Sequence, residues 1–302
     1  MRTAGLGALT KRNVKLYFKD KGMFFSSLIT PLILLVLYTT FLKNVFEDSF
    51  RGALDAAGAA VSDSIIGGCV GGQLVSSLLA VSCVTVAFCS NLLMVQDKIS
   101  GARRDLTVTP VHSGTLALSY YAASLLSTLI ISFAASAVCF AYLAAEGWYL
   151  STADVAAVIG DVILLCLFGT ALSSCVNFPL TTQGQASAVG TIVSAGYGFI
   201  CGAYMPISQF SDGLQKVLSF LPGTYGTSML RNHALHGVFE EMSDHGFPDQ
   251  VIESIRDSVD CNIYFYGDKV SIGNMHIILA ASIAILVALY VLMNVIKAKR
   301  EK

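Results

Sequence analysis

With 302 residues of which 54% are hydrophobic and only 13% charged, the chain is not composed like a soluble domain, where about 25% of residues carry charge. A mean hydropathy of +0.67 and a formal net charge of −1 give no sign of a nucleic-acid partner. The long apolar runs argue instead for one polytopic membrane domain spanning residues 1–302, because each bilayer span takes about 20 mostly apolar residues.

Residues 1–22 come first. Lys11, Arg12, Lys15 and Lys19 fall on one stripe of a helical wheel, and Leu6, Leu9, Leu16 and Tyr17 fall on the broad opposite face. A helix with one cationic and one apolar face lies in the interface of an anionic inner leaflet, so this segment is predicted to be an interfacial helix touching membrane lipid. Six spans are then predicted, at 23–42, 65–95, 115–145, 155–176, 186–204 and 277–296. Pro31 falls inside the first, a break that membrane helices tolerate. That first run is too long for a signal-peptide core and no small-residue cleavage site follows it, so it reads as a retained span.

Lys and Arg in the loops set orientation. The N-terminus (Arg2, Lys11, Arg12, Lys15, Lys19, Lys21), the loop after span two (Lys98, Arg103, Arg104) and the tail (Lys297, Lys299, Arg300, Lys302) carry thirteen basic residues against Asp20, Asp97, Asp105 and Glu301. The opposite loops carry six basic residues against fifteen acids. Both termini are therefore expected in the cytoplasm of a multi-pass plasma-membrane protein, which an even number of spans agrees with.

The stretch "QDKISGARRDLTVTPV", residues 96–111, is too long for a plain turn between helices, which takes about 2–8 residues. Asp97 can cap a short helix there, and Pro110 can stop it by restricting the residue before it. Further on, "MPISQFSDGLQKVLSFLPGTYGTSML" places Leu214, Val217, Leu218 and Leu221 at helical spacing and then breaks at Pro222-Gly223. It is too apolar for a loop and too broken for a span, so residues 205–276 are predicted to begin as a re-entrant helical hairpin dipping in from outside. They continue as an acidic outer extension with a short helix near 249–259.

Some chemistry is missing from the sequence. It holds no phosphate loop, no HExxH, no GxSxG elbow and no CxxC pair, so ATP, zinc-protease, serine-hydrolase and dithiol readings have no residues to stand on. "HALHGVFEE" puts His233, His236 and Glu240 on one face with His245 nearby, a weak metal pattern set against an ordinary polar helix. Cys261 could pair with Cys69 or Cys201, a connectivity that sequence alone does not fix. Asp161, two turns into span four, raises a proton site, against a water-facing position at the outer mouth with no Lys or Arg partner. Gly67/Gly71 and Gly198/Gly202 fit the small-xxx-small pattern of close helix contact, within the chain or between chains.

Taken in order, these parts resemble the type 2 permeases of ATP-binding-cassette (ABC) exporters. The resemblance rests on the basic entry "KRNVKLYFKDKGMFF" before a proline-containing span "ITPLILLVLY", on the charged loop "DKISGARRDLTVTPV", and on "MPIS…LPGTY…LR". This chain has Asp97 where family members often have Glu, and its acidic extension is unusually long. The resemblance implies an all-α integral membrane fold that is not itself an enzyme. It also implies two copies of a cytoplasmic ABC ATPase carrying ATP and Mg, and a second permease half, identical or paralogous. No cofactor belongs on this chain. Residues 96–111 would be the coupling helix, with Asp97, Lys98, Arg103, Arg104, Asp105 and Pro110 meeting the ATPase. The hairpin would gate exit through Pro206, Pro222, Gly223 and Tyr225. The rival readings are a proton-coupled secondary transporter using Asp161 and a membrane anchor for an ATPase that moves nothing itself.

Overall fold

The protein is described by a computed structural model covering residues 4–56, 62–109 and 111–300. α1 (Ala4–Lys19) stops where Asp20 leaves helical geometry (φ −78°, ψ 94°), and the same carboxylate accepts from the Met23 N–H at 3.0 Å to cap α2 (Lys21–Leu37). Pro31 lies inside α2 without ending it. The helix widens at Tyr38–Leu42 into a π-turn and continues as α3 (Lys43–Ala56). A π-turn leaves carbonyls loosely engaged, and the hydroxyls of Thr39 and Thr40 bond those of Leu35 (2.8 Å) and Val36 (2.6 Å) there.

α4 (Asp63–Ile99) is the central post, buried along nearly its whole length. Against it pack α2, α6 (Ser113–Glu146), α7 (Thr152–Asn177), α8 (Gln183–Ile200) and α10 (Pro222–Asp244). α7 begins with a capping box between Ser151 and Asp154. α12 (Ile272–Arg300) closes the bundle against α7, α10 and α6.

Among the described residues, five helical stretches are long and apolar enough to cross a membrane: Lys21–Gly52, α4, α6, α7 and Ile272–Lys297. The fifth expected span, 186–204, is not among them. α8 has 18 residues, and its first turn holds Gln183 and Gln185 because Gln185 forms a capping box with Thr182. Eighteen residues make about 27 Å of helix, short of a hydrocarbon core of about 30 Å.

After α8 the chain turns at Gly202 (φ 73°), forms a 3-10 turn at Ile207–Gln209 and the short α9 (Asp212–Leu218), and enters α10 through Pro222 as its first residue. α10 runs antiparallel to α4: Arg231 meets Ser77, Leu235 lies against Gly72, and Val238 lies against Gly68. It therefore starts part-way down the post and climbs toward the first turn of α4.

The acidic extension is folded. α11 (Asp249–Ser258) buries Ile252 and Ile255, and a hairpin of β1 (Tyr264–Phe265) and β2 (Asp268–Lys269) leans on it through Asp257, which accepts from Asn262 at 2.6 Å and Tyr264 at 3.0 Å. This hairpin is a small departure from the all-α expectation. All eight cysteines are free. Cys69, Cys201 and Cys261 are buried, and burial pushes the Cys261 thiol up to about 12, so it is an inert packing group.

Candidate functional site

α4 does not stop where its apolar run stops. It carries Asp97 and Lys98 in its last turn, and a turn at Gly101 (φ 85°) then reverses the chain. A left-handed residue is cheap only for glycine. The Gly101 carbonyl accepts from the N–H groups of Arg104 (2.8 Å) and Asp105 (3.3 Å), starting α5 (Ala102–Val108) without a side-chain cap. Thr109 is extended (ψ 158°), the conformation that a following proline imposes; Pro110 itself lies outside the described residues. α6 begins at once, its first N–H groups capped by His112 Nδ1, which accepts from Gly114 at 3.2 Å. The helix expected over 96–111 is thus confined to seven residues.

Asp97 is not the cap of that helix. It lies inside α4, only 5% exposed, and holds a forked arginine: Arg12 Nη1 donates to Oδ2 at 2.7 Å and Nη2 to Oδ1 at 3.3 Å. The Tyr120 hydroxyl donates to Oδ2 at 2.6 Å. A buried carboxylate needs such donors, and these come from α1 and α6, so one side chain ties three helices. The Asp97 hydrogen bond raises the Arg12 guanidinium above its ordinary value. Lys11, Lys15 and Lys19 stay exposed, while Arg12 has left the basic stripe for the interior edge.

Lys98 and Arg103 also turn inward. The Lys98 ammonium donates to the carbonyls of Asn177 (3.3 Å), Phe178 and Leu180 (3.0 Å), satisfying the orphan acceptors at the end of α7. Arg103 reaches Asn294 on α12 at 3.4 Å. Leu106 packs with Leu9 and Val111 against a small core around Met94 and Tyr290. The opposite face of α5 presents Arg104, Asp105 and Val108, the last 83% exposed. Of the residues predicted to meet a partner, Arg104 and Asp105 face outward, while Asp97, Lys98 and Arg103 hold the element in place.

The far end of the bundle is built differently. Arg231 on α10, fully buried, donates to Asp260 Oδ2 at 3.2 Å, to Ser77 Oγ at 3.3 Å and to the Gly202 carbonyl. Asp260 (φ 54°) also accepts from the N–H groups of Ile207 (2.6 Å) and Ser208 (3.2 Å), just after the buried Pro206. This pair was not legible from sequence beyond Arg231 standing in "LR". Pro222 opens α10. A Cβ on Gly223 would come within 2.6 Å of the Tyr197 hydroxyl, and Tyr225 donates to the Ser219 carbonyl, closing the α9–α10 turn.

The small residues serve contacts inside the chain. Gly198 lies under the Tyr204 ring, Gly202 lies against Ile207 and Asp260, and Gly67 and Gly71 face Glu146 and Leu143 of α6. The histidines of "HALHGVFEE" disperse to separate carboxylates. His233 bonds Asp161 at 2.6 Å, His236 meets Asp154 at 3.0 Å, and His245 stays beside Glu241. Among the described residues no group of three His, Cys, Asp or Glu side chains could hold a metal. Asp161 is therefore not a water-facing mouth residue: it is 1% exposed, with His276 of α12 at 3.4 Å on its other oxygen.

A family match described as ABC-2 type transporter covers residues 4–234, which takes in Arg12, Asp97, α5 and Arg231 but not Asp260. The chain belongs to the ABC-2 type transporter family. Among curated proteins nothing matches it. As an ABC-2 membrane domain it is a permease component of an ABC transporter, a family that typically works with an ATPase subunit. Among the described residues, two cavities of several hundred Å³ adjoin this permease's central post. One of about 560 Å³ lies between α2, α4 and α8, with Ser26, Thr30, Thr191 and Ser194 set among Ile29 and Ile33. Another, of about 450 Å³, is walled by Phe88, Phe168, Leu172 and Pro222 and is almost wholly apolar.

Proposed function

We propose that this ABC-2 permease is one half of an exporter that moves an amphipathic or lipid-like compound outward across the plasma membrane by alternating access. Two copies of a separate cytoplasmic ATPase would supply ATP and Mg, and a second permease half, identical or paralogous, would complete the pathway. Both termini are read as cytoplasmic from the sorting of basic residues.

The observation that carries this reading is α5. It is short, stands clear of the bundle on its Arg104, Asp105 and Val108 face, and is bound on its other face to spans through Arg103 and Leu106. A force applied there reaches α4 across only Ser100 and Gly101, and the Arg12–Asp97–Tyr120 lock passes it to α1 and α6. Such a lever is what an outside motor requires. The lining of the larger cavity, hydroxyls among branched apolar side chains, suits an amphipathic cargo. The exposed apolar faces of α2 (Phe25, Ile29, Ile33) and α8 (Ile192, Phe199) beside that cavity suit closure by a second half. Here α8 is read as the fifth crossing, shortened, with α9 and the start of α10 as a re-entrant hairpin gating exit at Pro206, Pro222, Gly223 and Tyr225.

The test is co-purification with the cytoplasmic ATPase and uptake of an amphipathic fluorophore into inside-out vesicles. ATP-dependent uptake that needs both subunits supports the reading; uptake that persists without ATPase and stops when the proton gradient is dissipated replaces it. One observation favours that second reading, a proton-coupled carrier: Asp161 is buried between two titratable partners, His233 and His276. Asp161→Asn separates the two, since a proton carrier loses transport outright and an ATP-driven exporter keeps most of it.

A further inference from the structure

Phe178, the residue ending α7, has three cations over its ring. Lys98 Nζ is 5.4 Å from the ring centroid, the Arg103 guanidinium carbon 5.8 Å, and Lys297 Nζ 5.8 Å. A ring has two faces, so at least two of these cations share one. Cation–π attraction holds each of them but leaves the repulsion between Lys98 and Arg103 standing. A carboxylate would be the ordinary remedy, yet Lys98 donates only to backbone carbonyls and Arg103 only to the Asn294 amide oxygen. The Nη1 of Arg103 is buried and bonds nothing. The adjacent carboxylate, Asp97, is already taken by Arg12 and Tyr120. Positive charge has thus been gathered where four elements end, α4, α5, α7 and α12, without an anion of the chain's own on Lys98 or Arg103 among the described residues.

We infer that this cluster binds a phosphate group, with Arg103 and Lys297 as its main donors and Lys98 held in place as the cap of α7. The phosphate is supplied by the headgroup of an anionic lipid or by a soluble phosphate. Basic pockets between spans on the cytoplasmic side are suited to anionic headgroups. Leu289, Leu292 and Ile296, the exposed apolar residues leading up to Lys297 on α12, offer a track for the acyl chains. The leaflet assigned here rests on the orientation proposed above; the phosphate chemistry does not. Because Arg103 is part of α5, an occupied site would also stiffen the lever.

The experiment compares the full chain in nanodiscs of phosphatidylcholine alone, of phosphatidylcholine with phosphatidylglycerol, and of phosphatidylcholine with added inorganic phosphate, reading the thermal midpoint. A raised midpoint of about 3 °C or more is expected with phosphatidylglycerol, lost in R103Q/K297Q, and kept in R103K and in K11Q/K15Q/K19Q. The same variant-sensitive rise with inorganic phosphate alone assigns the site to a soluble phosphate. A phosphatidylglycerol effect unchanged in R103Q/K297Q, or lost only in K11Q/K15Q/K19Q, overturns the inference. So does stabilisation that depends on Arg103 and is produced by the ATPase subunit but by neither phosphate source. Should the double variant fail to fold, native mass spectrometry of the parent decides: phosphatidylglycerol retained by the parent and reduced in K297Q supports the site, and equal retention refutes it.

Discussion

Each end of the permease holds an arginine on a buried aspartate, and the two pairs differ in how dry they are. At the α5 end, the Arg12 side chain is 32% exposed over an Asp97 side chain that is 8% exposed; at the α11 end, the Arg231 and Asp260 side chains are 1% and 4% exposed. Water can reach the first pair as it opens, so its separation costs little more than the bonds themselves. The second pair can separate only by leaving a bare charge in a dry interior. The α5 end is built so that helices can shift against one another, and the α11 end so that α10, the turn at Gly202 and the segment after α11 stay together.

Substitutions at the two ends should differ in cost. Arg231→Met strands Asp260 and is expected to cost about 3–5 kcal/mol, seen as a large fall in thermal midpoint; adding Asp260→Leu should recover part of it. Arg12→Ala is expected to cost about 1.5–3 kcal/mol, in the range for charge-assisted hydrogen bonds, and to reduce ATP-driven transport by more than that loss of stability explains. If Arg12→Ala proves as destabilising as Arg231→Met, the contrast between the ends fails. Gly223→Ala should cost about 1 kcal/mol, the low end for overpacking, and Tyr197→Phe should relieve it by removing the oxygen the new methyl meets. Smallest in stability is Val108→Asp, within about 0.5 kcal/mol as for other exposed sites, while association with the ATPase should be lost.

What could be read from the sequence was what depends on local pattern. Apolar runs placed the five helices that are long and apolar enough to cross a membrane, and the charged interruption at 96–111 located the turn that carries α5. Pairings between distant residues could not be read. Arg12 and Asp97 stand 85 positions apart and Arg231 and Asp260 stand 29 apart, and which faces meet is decided by how helices rotate when packed. Asp97 shows the competition directly: capping is its best local option, but α4 runs on through it to Ile99 and two neighbouring helices offer three donors. α8 shows the reverse error. An apolar run was extended to 204, whereas the chain turns at Gly202 so that Asp260 can take the N–H groups of Ile207 and Ser208. The histidines near 233 share a local spacing, and their carboxylate partners lie on α7, which the spacing does not reveal.

In the proposed exporter, force from an ATPase enters through the exposed face of α5. A photo-crosslinking residue placed at position 108, with a control at the exposed Leu214 beyond α8, tests it directly in membranes that contain both subunits. Position 108 is expected to crosslink to the ATPase with a yield that changes when ATP is added, and position 214 is expected to give no crosslink. A crosslink from 214 alone, or labelling of position 108 by a membrane-impermeant reagent applied outside intact cells, would contradict it.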